Sequence, residues 1–157
     1  MVRILSRLNE FCTEYGIEYI LTGTAALEVM GLPSSFKPGD IDIKLIAPPR
    51  KDHFGLLAQQ QKLSGLDSKD YIDEGTRCFS FYICGVKINA LISDNYTRDE
   101  ALASSQAVEL FDRERPRRFI VRVQKVNYAL ADKMALNRIK DKEYLLDVLV
   151  GLTAFIH

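Results

Sequence analysis

The stretch Asp40-Ile41-Asp42-Ile43-Lys44-Leu45-Ile46-Ala47 constrains this chain more than any other. Apolar and charged residues alternate with a period of two. Ile41, Ile43 and Leu45 therefore point one way from an extended backbone, and Asp40, Asp42 and Lys44 point the other. The chain must supply a half-buried strand with two carboxylates and an ammonium on its open face.

The flanking segments supply what can pack around that strand. Ile4, Leu5, Leu8, Phe11, Cys12 and Tyr15 recur at helical spacing over residues 2–15, and Gly16 can end that helix. Glu18 to Thr22 reads as a short buried strand broken by Gly23, with Thr24 the expected N-cap of a short helix to about Met30. Residues 32–39 read as a loop with two prolines and a glycine. After Pro48-Pro49 a helix is expected, with Phe54, Leu57 and Ala58 inward and His53 near its start. Residues 64–76 read as turn-rich and acidic. Residues 77–92 read as a hairpin. Phe79, Phe81 and Ile83 alternate in one arm and Val86, Ile88, Ala90 and Ile92 in the other, with Cys84-Gly85 at the turn. The open face of the second arm carries Lys87, Asn89 and Ser93. Phe111 to Lys125 is basic and contains one further strand, FIVRV; from Asn127 two helices follow, separated near Lys140. The expected fold class is α/β (α+β): a mixed sheet with helices packed on it. The expectation is one domain over residues 1–157, its C-terminal helical pair at about 127–155.

Composition narrows the function. Twenty-one Lys and Arg balance 21 Asp and Glu in 157 residues, so indiscriminate nucleic-acid binding is not indicated. The basic stretch from Arg113 to Lys125 is better explained as a surface strand. No apolar run approaches the ~20 residues of a membrane span, and the N-terminus lacks the pattern of a secretory signal. Cys12, Cys78 and Cys84 form no CxxC pair; their odd count and wide spacing fit a reducing compartment, and a cytoplasmic location is expected. Cys78 and Cys84 flank an apolar strand and are read as packed small hydrophobes. With only His53 and His157, multi-histidine zinc sites and a Ser-His-Asp triad lack residues. Carboxylates, lysines and arginines are left to carry any chemistry.

Asp40 and Asp42, at i and i+2 on one strand face, can converge on one cation. Mg²⁺ takes oxygen ligands and often uses one or two carboxylates plus substrate phosphates. The triplet alone also fits a solvated strand edge. Gly23-Thr24 marks a tight turn into a helix, where backbone N–H groups attract phosphate and a missing side chain permits close approach. It also fits a plain helix cap. Neither GxxxxGK[ST] nor GxGxxG is present.

Taken together, LTGTAALEVMG and FKPGDIDIKL resemble the signature of the nucleotidyltransferase (polymerase-beta-like) superfamily. In that family a Gly followed by Gly or Ser opens a short helix after the first strand, and an acid-x-acid pair sits on the next. LADKMALNRIKDKEYLLD is similar to the C-terminal helices of small bacterial members related to abortive-infection toxins. The resemblance spans roughly residues 18–150. It implies the nucleotidyltransferase fold, with Gly23 and Thr24 on the nucleotide phosphates and Asp40 and Asp42 on Mg²⁺ or Mn²⁺. The implied reaction moves a nucleoside monophosphate from a nucleoside triphosphate such as ATP to an acceptor hydroxyl. The acceptor, whether small molecule, protein or RNA, is left open. Lys44, Arg117, Arg118, Lys133 and Lys140 are candidates for triphosphate contacts, each also readable as a solvated charge.

The sequence departs from the pattern at two positions. Thr24 stands where Gly or Ser is usual, and its hydroxyl still donates to phosphate. The position of the third carboxylate, on VKINALI, is Asn89. An amide oxygen can ligate a cation, but it is neutral and takes no proton from an attacking hydroxyl. Asp73, Glu74 and Asp94 are the nearby acids, none at matching spacing; a partner protein supplying the acid is also compatible. The alternative function is therefore a catalytically degenerate fold acting as a nucleotide-binding or protein-interaction module.

Overall fold

The computed structural model describes residues 1–32, 39–46, 69–73, 76–93, 96–136 and 138–156. Most of the expected loop at residues 32–39, the expected helix after Pro48-Pro49, His53, Glu74 and Asp94 lie outside the described residues. In chain order the elements are α1 (Val2–Glu14), β1 (Tyr19–Thr22), α2 (Gly23–Val29), β2 (Asp40–Leu45), β3 (Lys69–Asp73), β4 (Thr76–Ile83) and β5 (Val86–Ser93). They continue with α3 (Arg98–Ala103), β6 (Ser105–Asp112), β7 (Arg117–Gln124), α4 (Val126–Leu136) and α5 (Ile139–Ile156). Among the described residues seven strands form one sheet in the order β3-β4-β5-β2-β1-β7-β6. β1 runs parallel to β7 and β2 parallel to β5, while the other pairs are antiparallel, so the sheet is mixed as expected.

One face of the sheet is apolar because strand alternation puts Tyr19, Leu21, Ile41, Ile43, Val121 and Val123 on the same side. Helix α1 lays Leu5, Leu8 and Cys12 on it, one helical stripe at i, i+3 and i+7. Gly16, at φ 65°, ends α1, and Ile17 N–H closes on the Cys12 carbonyl at 2.7 Å. On the other face Leu27 of α2 packs with Ala129 of α4 and with Tyr144 and Val148 of α5. Ile20 and Ile46 meet Ala101 of α3 there.

The expected hairpin is β4–β5, its two-residue turn formed by Cys84 and Gly85 at φ 50° and 77°. Positive φ at both central residues lets such a turn follow the twist of the strands. Cys84 is thereby exposed at the turn rather than packed. Three elements depart from expectation. β3 occupies part of the acidic stretch read as turns; its backbone pairs with β4 from Lys69↔Phe79 to Asp73↔Thr76, with an irregularity between Tyr71 and Asp73. Pairing to a neighbour overrides low strand propensity. The basic segment is one arm of a second hairpin, β6–β7, not a lone strand. Between the hairpins lies α3, capped by Thr97 and Glu100 in a reciprocal capping box.

Candidate functional site

The open face of β2 is the face of Thr22 and Asn89, because directly paired residues in a sheet point the same way. Thr22 is registered with Asp42 across β1–β2, Asp42 with Asn89 and Asp40 with Lys87 across β2–β5. Asp40, Asp42 and Asn89 therefore meet. Asn89 Nδ2 donates to Asp42 Oδ1 at 3.1 Å and to Asp40 Oδ2 at 3.4 Å. Its Oδ1 accepts from Ser80 Oγ at 2.8 Å.

The β1–α2 turn closes over this group. Gly23 has φ 65°, and a Cβ there would stand 3.2 Å from Asp42 Oδ2. Only glycine meets both demands without strain. The expectation of Thr24 as N-cap is corrected: α2 begins at Gly23, so Thr22 holds the cap position. The Thr22 hydroxyl donates instead to the Asp42 carbonyl at 3.1 Å, tying the turn to β2. The freed Thr24 side chain receives Lys133 Nζ at 2.9 Å.

Lys133 comes from α4 and is only 8 % exposed. Burial pushes its ammonium below the ordinary lysine value, and the nearby Asp141 and Asp42 charges work against that push. Asp141, at the start of α5, is 2 % exposed. It lies 3.5 Å from Lys133 Nζ and accepts from Arg138 Nε and Nη2 at 2.6 and 3.1 Å. The Arg138 hydrogen bond is the main reason its carboxyl is held below the ordinary range. Tyr144 adds its ring face to Lys133 at 4.5 Å. Arg138, Asp141 and Ser80 were not foreseen from the sequence. Asp141, Tyr144 and Val148 share one face at i, i+3 and i+7, the available sign that Asp141 points inward.

The remaining expected phosphate contacts fall elsewhere. Lys44 shares the face of Asp42 but its Nζ stands 3.7 Å over the Tyr96 ring. Burial lowers its pKa, with Asp132 and Glu100 opposing. Arg117 crosses to α1, where Nη2 meets Glu10 at 3.0 Å and Ser6 Oγ at 3.2 Å, so it is spent on joining β7 to α1. Arg118 pairs with Glu109 on the hairpin surface at 3.4 Å. Lys140 is exposed in the first turn of α5. Arg117 and Arg118 of the basic stretch thus hold internal partners.

Among the described residues no group of three or more His, Cys, Asp or Glu side chains could hold a metal. Two carboxylates do converge on one point, marked by Asn89 Nδ2. They are hard oxygen donors suited to Mg²⁺ or Mn²⁺, which often take two carboxylates and complete the shell with phosphate and water. The donor set therefore fits such an ion arriving with a phosphate ligand. Among the described residues no helix is long and apolar enough to cross a membrane.

No protein-family model matches the chain, and no curated protein matches its sequence. Among solved structures, it is similar to the crystal structure of an antigenic nucleotidyltransferase-like protein from Paracoccidioides brasiliensis. The match has 14 % identity, covers 98 % of this chain and 75 % of that one, and has a TM-score of 0.55. At that identity the likeness speaks for architecture: the chain has a nucleotidyltransferase-like α/β fold.

Proposed function

We propose that this protein binds a nucleoside triphosphate with Mg²⁺ or Mn²⁺ at the β1–α2 turn and transfers its nucleoside monophosphate to an acceptor hydroxyl. The observation that carries this is the convergence of the Asp40–Asp42 pair, the Gly23 turn and the Lys133 ammonium on one small region. Lys133 bonded to Thr24 stands next to backbone N–H groups that have no partner inside the first turn of a helix. A phosphate there would gain an ammonium and amide donors together. A cation held by Asp40 and Asp42 would neutralise phosphate charge and align an in-line attack. Asp141 and Arg138 hold the lysine in place. The sequence of α4 and α5 favours the small, abortive-infection-related kind of nucleotidyltransferase.

A second reading rests on Asn89. Its amide cannot take a proton from an attacking hydroxyl, so a module that binds nucleotide without turnover fits the same residues. Pyrophosphate release in the presence of acceptors separates the two readings.

Binding is tested by calorimetric titration with the four α,β-methylene nucleoside triphosphates in Mg²⁺. Saturable binding of at least one is expected, with Lys133→Met weakening it about tenfold, the worth of one charge-assisted hydrogen bond. No binding of any base, or binding indifferent to Lys133→Met, would overturn the proposal.

A further inference from the structure

The orientation of the Asn89 amide is dictated by its neighbours. Carboxylate oxygens only accept, so Asp40 and Asp42 select its Nδ2 end, at 3.4 and 3.1 Å. The Oδ1 end then faces Ser80, which sits opposite Asn89 in the β4–β5 register and donates to it at 2.8 Å. Ser80 is buried, and its hydroxyl, which can donate or accept, is the donor to this Oδ1. The NH₂ group consequently stands where the two carboxylates converge, and the carbonyl that could ligate a cation is turned away and occupied.

We infer that Asn89 is a competitor of the divalent cation and not one of its ligands. Its NH₂, oriented by the two carboxylates, satisfies Asp40 and Asp42 and is displaced when a cation enters. The inference rests on the reading of Asp40 and Asp42 as cation ligands. It has a consequence opposite in sign to that of a ligand. Removing a ligand weakens metal binding, whereas removing a competitor strengthens it. The device also explains how a site without a third acid keeps two adjacent carboxylates ordered, since the amide supplies the positive end of a dipole between them.

The test is a titration of the full chain with Mn²⁺ alone, read by electron paramagnetic resonance of the free ion. Wild type, Asn89→Ala, Asn89→Ser and Asn89→Asp are compared. Serine keeps polarity but not reach, and it stands in if the alanine variant fails to fold. Asn89→Ala and Asn89→Ser should bind Mn²⁺ about tenfold more tightly than wild type, since entry no longer breaks a charge-assisted hydrogen bond. Equal or weaker binding by both, with Asn89→Asp still binding, would overturn the inference and leave the two-carboxylate reading standing. No binding by any form, Asn89→Asp included, would overturn both.

Discussion

Replacing Gly23 by alanine loads the β1–α2 turn in two ways that can be separated. The first is conformational. At φ 65° an L-residue crowds its Cβ against the following carbonyl, at about 1–2 kcal/mol. The second is steric. The new Cβ would stand 3.2 Å from Asp42 Oδ2, closer than ordinary van der Waals contact. Asp42 must give way, and the 3.1 Å bond from Asn89 is strained as it does. Partial loss of a charge-assisted hydrogen bond adds roughly 1 kcal/mol. Gly16 is the control. It also has φ 65°, but nothing lies within 4 Å of its built Cβ. Gly16→Ala should therefore lose about 1–2 kcal/mol and Gly23→Ala about 2–3 kcal/mol. At this chain length each kcal/mol is roughly 2–4 °C in Tm. Urea unfolding followed by circular dichroism measures both, and nucleotide titration should show a loss for Gly23→Ala only. If Gly23→Ala is as stable as Gly16→Ala and binds like wild type, the close packing of the turn on Asp42 is refuted.

Two further outcomes follow from the buried groups. Arg138 holds the Asp141 carboxyl below its ordinary 3.8, so its contribution to stability is present above that value and is lost as pH falls through the lower folded one. Asp141→Asn should cost about 2–3 kcal/mol at pH 7, below the full value for a buried pair because Arg138 is half-exposed, and the gap should narrow towards pH 2; urea unfolding at both pH values measures it, and a constant gap would contradict the assignment. Burial pushes the Cys12 thiol up to about 12, whereas Cys84 lies exposed at a turn. Iodoacetamide at pH 8 should label Cys84 in the native protein and Cys12 only on unfolding, as site-resolved mass spectrometry would report.

Where local pattern and tertiary environment agree, the structure was legible beforehand. The alternation of β2, the stripe of α1 and the Cys84-Gly85 turn each state their own geometry, and all are found. The mixed sheet followed from the hairpin between single strands. Asn89 is reached in the sequence through the family resemblance, and the β2–β5 register sets it beside Asp42. What was missed depends on contacts distant in sequence. β3 is set by its backbone pairing with β4, a partner outside its own local pattern. β6 has Val108 and Leu110 against the core, but Phe111 faces outward and spoils the alternation. Arg117 looked available for phosphate until α1 brought Glu10 and Ser6 to it. Thr24 looked like a cap because the strand was expected to end before Gly23 and the helix to start after it. The capping box Thr97-x-x-Glu100, by contrast, is a local sequence signal for the start of α3.

Asp40 and Asp42 are proposed as a metal-dependent nucleotide site. The most direct test of that proposal is a thermal-shift titration with the four nucleoside triphosphates, with and without Mg²⁺ or Mn²⁺, in wild type and in the Asp40→Asn/Asp42→Asn double variant. Binding to the folded state alone stabilises by about 2.7 kcal/mol at a hundredfold excess over Kd. A rise in Tm is expected with at least one nucleotide, present only with the cation and abolished in the double variant. A shift that persists without the cation or in the double variant, or no shift with any nucleotide, would contradict it.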